Sequence, residues 1–284
     1  MTGSPPRVRF AIRDDDVCYH TDAGMLRALY SDILPVCPIS FSAIPFVGGF
    51  DVDAYSPAKW DALDVQWRAW QTKDVHPIGL NTELVSQLRG WISRGQATVM
   101  LHGIHHDLYE FMQARDFAED VRRARRYLEE LFGQPVTVAS PPNNSLGPSA
   151  EAALAANGFD VLLAFGHRLP ERAATLRSYL NFARLLALYL RHGKRYRLTQ
   201  PLDFGTHREQ PCYEIGPATA FESLVAGFEY VLERGGNFVV ATHYYHLAAK
   251  PPLREMLTAP VAMARGQRAG TVEFVTAERL FQPR

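Results

Sequence analysis

The side chains able to do chemistry fall into four short clusters. Asp14, Asp15 and Asp16 follow an apolar run near the N-terminus, and His102-Gly-Ile-His105-His106 follows a second run. Ser140-Pro141-Pro142-Asn143-Asn144 comes third, and His243 with Tyr244 and His246 fourth. Two imidazoles this close after a strand can face one ion. A carboxylate then completes a His₂Asp facial set, with positions left open for water and substrate. Three adjacent carboxylates repel one another unless a cation or a proton-transfer role needs them. A solvated turn also accommodates three aspartates, but no Gly or Asn turn signal stands beside these. The bland alternative for the histidines is a loop capped by its own imidazoles, and His105 competes with His106 as the second nitrogen ligand. Taken together, the clusters point to a metal-dependent hydrolase.

Residues far apart in sequence meet only if the fold brings them to one face. Strands are expected over Val8–Ile12, Ile39–Ile44, Ala97–Leu101, Val136–Ala139, Val161–Phe165, Phe238–Thr242 and Val272–Val275. Helices are expected over Met25–Leu34, Glu83–Ile92, Glu151–Ala156 and Phe221–Leu232, the last ended by Gly235–Gly236. Another, with Asp116 as N-cap and Gly133 as stop, carries Phe117, Val121, Ala124, Leu128 and Leu131 at helical spacing. Strands alternating with helices predict parallel pairing, in an open doubly wound sheet or a closed barrel. In either, the C-terminal strand ends share one face, and all four clusters lie just after strands.

The motifs resemble those of the polysaccharide deacetylases, the NodB-like proteins of carbohydrate esterase family 4. Asp15–Asp16 is similar to that family's Thr-Phe-Asp-Asp-Gly motif, His102 to His106 to its His-(Ser/Thr)-x-x-His, and Ala241-Thr242-His243 to its Leu-x-His. The order matches and spans the chain from the first strand to His243. The resemblance implies a distorted (β/α) barrel of about seven strands. It further implies Asp15 as general base, Asp16, His102 and His106 as ligands of one divalent ion, expected to be Zn²⁺, and His243 as general acid. The reaction so implied is removal of an acyl group, N-acetyl above all, from a sugar or glycoconjugate by ion-activated water.

Departures from the family pattern mark a divergent branch. Gly103 stands where Ser or Thr is usual, and Val17 where Gly is. The third motif, Arg-x-Pro-Tyr-Gly in type, reads Ser140-Pro141-Pro142-Asn143-Asn144 and lacks the arginine that orients the base. Arg13 is the candidate replacement, provided the strand stays regular so that Arg13 and Asp15 share a face. Arg13 and Asn144 are expected near the substrate, although Asn144 serves a turn equally well. The fourth motif is at best Gly158-Phe159-Asp160, without its Trp. Two other function classes stay open: a different metal-dependent amide (C–N) hydrolase on the same barrel, and a catalytically degenerate glycan binder.

Bulk properties exclude rather than identify. The 284 residues carry 30 basic and 30 acidic side chains, so no global field favours nucleic acid or a membrane. No apolar stretch is long enough to span a bilayer or to serve as an N-terminal signal, so the expected location is cytoplasmic. Cys18, Cys37 and Cys212 form neither a disulfide framework nor a zinc ribbon. The whole chain, 1–284, is expected to be one catalytic domain with insertions at 46–75 and 167–200. In the first insertion Trp60, Leu63, Trp67 and Trp70 share a helical stripe, which favours packing over a sugar platform. In the second, Arg168, Arg172, Arg177, Arg184, Arg191, Lys194, Arg195 and Arg197 face a single acid, Glu171. A solvated excursion is the bland reading of that stretch, and a wall for an anionic substrate the functional one.

Overall fold

An apolar N-terminal run forms the middle of the sheet. The structure, a computed structural model, describes residues 8–49, 65–70, 72–107, 109–163, 175–193 and 196–283. In chain order its elements are β1 (Val8–Val17), α1 (Ala23–Tyr30), β2 (Ile39–Ala43), β3 (Phe46–Gly48), α2 (Val65–Trp70), β4 (Val75–Pro77), α3 (Thr82–Ser93) and β5 (Ala97–Leu101). There follow α4 (Ala118–Phe132), β6 (Val138–Ala139), α5 (Pro148–Ala156), β7 (Asp160–Leu163), α6 (Leu176–His192), β8 (Leu202–Asp203), β9 (Arg208–Pro211) and β10 (Tyr213–Glu214). The chain then runs through α7 (Phe221–Arg234), β11 (Gly236–His243), α8 (Tyr244–Ala249), α9 (Pro251–Arg265) and β12 (Val272–Phe274).

The sheet order is β10-β11-β1-β2-β5-β6-β7-β9-β8, with β12 also paired to β1. All these pairings are parallel except β8 with β9. β9 pairs with β7, while β10, one residue further on, pairs with β11. A single stretch of chain through Cys212 thus joins the two ends of the curled sheet, which is the expected distorted (β/α) barrel. The short strands β8 to β10 lie outside the expected elements, because two to four residues are too few to set a period.

β1 alternates strictly between two environments. Val8, Phe10 and Ile12 pack under the surrounding helices, whereas Ala11 belongs to an interior cluster with Met100, Val138, Leu162, Cys212 and Val239. Arg9 and Arg13 share the inward face of Ala11, as a period of two requires. The C-terminal turn Ala277–Phe281 closes the lower end of this interior with Ala277, Leu280 and Phe281. Arg9, 5% exposed, donates to the carbonyls of Arg279, Gln282 and Pro283 there.

Other expectations shift at the edges. α4 starts one residue later than expected, yet Asp116 Oδ1 still accepts from the Ala118 N–H at 2.8 Å, and Gly133 ends the helix at φ 66°. The base of the first insertion is an antiparallel pairing of β3 with β4. Trp70 is buried there at 3% exposure, so it packs rather than offering a platform; Trp60, Leu63 and the side chain of Trp67 lie outside the described residues. The basic stretch is an ordered helix, α6, over its middle, not an irregular excursion; Arg168, Glu171, Arg172, Lys194 and Arg195 lie outside the described residues.

Removing the guanidinium of Arg9 leaves three C-terminal carbonyls without their donor. Arg9→Met is expected to lower stability by about 1–3 kcal/mol, read as the urea midpoint, because the three hydrogen bonds of a buried guanidinium are lost. Metal uptake should stay unchanged, since Arg9 lies at the end opposite the clusters described next.

Candidate metal centre

The C-terminal end of β1 carries the carboxylates. Pairing with β11 is unbroken from Val8↔Gly236 to Asp15↔His243, so the strand keeps its alternation through Arg13 and Asp15. On its other side the register with β2 shifts between Asp14 and Val17. Asp16 sits in that shift at φ 67°, in the left-handed region that Asp tolerates better than most residues. The irregularity turns Asp16 out of the alternation and towards the histidines that follow β5. The aspartate cluster is therefore the strand's own end and not a loop behind it.

Asp16 Oδ1 lies 2.9 Å from His102 Nε2 and 2.9 Å from His106 Nε2, and all three residues are at most 4% exposed. Their three ligand atoms lie within 4.8 Å of one another. His102 Nδ1 stands 2.7 Å from the Ser140 carbonyl, which accepts only, so Nδ1 carries the hydrogen. Nε2 is then the ring nitrogen that faces Asp16, 2.9 Å from its Oδ1. A cation held between ring and carboxylate would bind both, so the donor set fits a divalent ion. Tyr245 donates its hydroxyl to Asp16 Oδ2 at 2.8 Å, and His243 Nε2 is 3.6 Å from the same oxygen. His105 turns away, its Nδ1 2.7 Å from the Phe46 carbonyl, so His106 is the second imidazole of the group.

Arg13 is 1% exposed and grips Asp15 with two donors, Nε to Oδ1 at 2.7 Å and Nη2 to Oδ2 at 2.5 Å. Its remaining bonds run to the Leu162 carbonyl and to Asn144 Oδ1, both at 3.0 Å. Every one of Arg13's nitrogens is thus engaged inside the protein, Nη1 also lying 4.0 Å from Cys212 Sγ. Asn144, at φ 50°, spends its amide oxygen on Arg13. Burial alone would push the Asp15 carboxyl up, but Arg13, His102 and His243 outweigh it and hold the group well below the usual carboxylate range. Burial opposes ionisation of Asp16 too, and His106, His102 and His243 overcome it in the same direction. Asp14 faces the other way, beside Tyr30, and burial pushes its carboxyl well above the ordinary value.

One organising residue escaped the sequence reading. Glu110, 2% exposed, accepts three backbone N–H groups, from Ile104 and His105 at 3.0 Å and from His106 at 3.2 Å. It thereby holds His106 at φ 63°. A Cβ on Gly103, at φ +68°, would fall 2.4 Å from Glu110 Oε2 and 2.5 Å from Pro142 Cγ. The absent Ser or Thr at 103 is thus explained by space that the Glu110 carboxylate fills. Only an acid among the apolar residues Phe111 and Met112 marked this position in sequence. Tyr245 carried no signal beyond its place two residues after His243.

Known proteins share this fold. The family model described as "Polysaccharide deacetylase" matches residues 62–162, a span holding His102 and His106 but neither Asp16 nor His243. Among solved structures, one described as a polysaccharide deacetylase from Pseudomonas aeruginosa PAO1 superposes with a TM-score of 0.58 at 12% identity, covering 97% of this chain and 90% of that one. The Puue allantoinase gives 0.55 at 12% identity, covering 97% and 89%. A polysaccharide deacetylase described from Mycobacterium smegmatis gives 0.54 at 12%, covering 98% and 90%. No curated protein matches the sequence. The chain thus shares its fold with these structures, and residues 62–162 match the family model.

His102→Ala and His106→Ala are each expected to abolish uptake of a divalent ion by the purified chain, while His105→Ala keeps it. Glu110→Ala should weaken uptake about 10–100-fold, the usual effect of removing a group that orients ligands. Metal titration followed by elemental analysis checks all four; full uptake by His106→Ala would remove it from the ligand set.

Proposed function

We propose that the chain is a metal-dependent deacetylase that removes an acyl group, N-acetyl first, from a sugar or glycoconjugate, with residues 1–284 as one catalytic unit. The observation that carries this is the meeting of His102 and His106 on Asp16 beside an arginine-clamped Asp15. Asp16, His102 and His106 would hold the ion, with Zn²⁺ the natural match for two imidazoles and a carboxylate. Such an ion, when bound, acidifies water and polarises an acyl oxygen.

The chain's own residues supply the remaining work. Asp15 is the proton acceptor. Its clamp keeps it ionised at neutral pH and fixes both of its oxygens, at some cost in basicity. His243, directly opposite Asp15 in the β1–β11 ladder, is the donor to the departing amine, which is otherwise too poor a leaving group. A cavity of ≈ 550 Å³ lined by Arg197, Tyr213, Glu214, Thr219 and Ser223 opens at the C-terminal end of β10. It offers room for a substituent, and Arg197 favours an anionic one. A second reading, hydrolysis of a small amide, draws support from the likeness in fold to an allantoinase.

The deciding experiment assays metal-loaded protein against acetamido sugars, their phosphorylated forms and small amides, following acetate, ammonia and free amine. Acetate from the sugars is the expected outcome; ammonia or amine from small amides alone would replace the first reading by the second. Asp15→Asn should keep its metal and lose most turnover, and His243→Ala should lose about 10²–10⁴ in rate, as general acid–base groups do.

Arg13 generates a pH prediction. With it replaced by Met, the cation is gone and burial pushes the Asp15 carboxyl up. The acid limb of the kcat/KM profile should therefore move to higher pH than in wild type. An unmoved limb would remove Arg13 from control of the base.

A further inference from the structure

Helix α6 presents itself to the protein the wrong way round. Its fully buried positions are Ser178, Asn181, Leu185 and Leu188, two of them polar, with Phe182, Tyr189 and His192 half-buried on the same side. Thr175 caps Ser178, and Asn181 donates to the Asp203 carbonyl at 3.0 Å. The outward residues are the more apolar set. Leu176 is 76% exposed, Tyr179 52%, Leu180 53%, Leu186 44% and Leu190 81%, with Ala183 and Ala187 exposed between them. At about 100° per residue these seven positions fall within an arc of roughly 120°, one continuous stripe. An amphipathic helix on a folded domain ordinarily turns such a stripe to the core.

The charges follow the same geometry. Arg177, Arg184 and Arg191 recur every seven residues and line one edge of the stripe, and the helix contains no acid. Arg177 pairs with Asp203 at 2.8 Å, while Arg184 and Arg191 make no ion pair among the described residues. Within the basic stretch, Arg177, Arg184 and Arg191 thus form a row beside exposed leucines.

We propose that the outward face of α6 docks on an anionic lipid surface, with the leucine stripe entering the headgroup boundary and Arg184 and Arg191 contacting lipid phosphates. A broad apolar stripe with a basic margin is what an interfacial helix requires. Tyr179 adds an aromatic ring with a polar tip, suited to that boundary. Pairing of α6 with α6 of a second copy would leave the arginines without acceptors, because the helix supplies no carboxylate. No helix among the described residues is long and apolar enough to cross a membrane, so the contact is peripheral. This docking is independent of the proposed reaction.

The test is co-sedimentation of the full chain with vesicles of phosphatidylcholine alone and of equimolar phosphatidylcholine and phosphatidylglycerol. Wild type should follow the anionic vesicles and release as salt rises. Leu186→Glu with Leu190→Glu should lower binding by about tenfold or more, since it places charge in the apolar stripe. Arg184→Gln with Arg191→Gln should lower it by roughly tenfold at low salt. Both variants should keep the wild-type Tm, as the changed side chains are solvent-exposed. Wild type left in the supernatant with anionic vesicles overturns the proposal. So does binding that survives both pairs of substitutions, or a wild-type dimer that the leucine variant makes monomeric without any vesicle binding.

Discussion

Asp14, Asp15 and Asp16 are consecutive, and none is more than 2% exposed. Burying one ionised carboxylate costs several kcal/mol unless it is paired, so three in a row demand three separate solutions. Asp14 is turned outward beside Tyr30, where burial favours its neutral form. Asp15 is turned inward and gripped by Arg13. Asp16 leaves the strand geometry and meets imidazoles. Alternation separates the first two, and the register shift separates the third. The site is this neutralisation problem solved at the end of one strand.

The loops around that strand end carry the strain the solution needs. The non-glycine residues with positive φ among those described are Asp16, within the end of β1, and His106, Tyr109, Asn143 and Asn144, in the loops after β5 and β6. Such conformations persist only where surrounding contacts over-determine them. Glu110 does this for His106 by satisfying three successive N–H groups, and Arg13 helps for Asn144 through its amide oxygen. The lower end of the barrel, sealed by Arg9 and the C-terminal turn, carries none of these strained residues. Stability and chemistry therefore occupy opposite ends of the same strand, which is why Arg9 and Arg13 can share a face and differ in role.

Local patterns explain how far the sequence could be read. The seven expected strands all have counterparts, because each is an apolar run bounded by polar or turn residues. β1 ran five residues beyond its apolar part, since an arginine and three aspartates carry no apolar signal for a strand. Arg13 was legible as a partner of Asp15 from the arginine missing in the third motif together with period two, but not as a buried one. Glu110 was illegible because it acts through backbone N–H groups, which no side-chain motif records. The inverted polarity of α6 was hidden for a related reason: composition counts arginines and leucines without saying which face meets the protein.

The origin of the arginine that grips Asp15 changes what the third cluster must do. An arginine in a loop fixes Asp15 only if the loop itself is fixed. Here the guanidinium comes from two residues earlier on the same strand, and pairing with β11 holds both ends of that contact in one register. The Ser140–Asn144 segment is then relieved of supplying charge. It provides instead the Ser140 carbonyl that sets the His102 tautomer and the Asn144 oxygen that receives Arg13. Its loop joins His102 to Arg13 through two hydrogen bonds. A shift of that loop would disturb His102 and Arg13 together, so the missing arginine marks a rewired support rather than a gap.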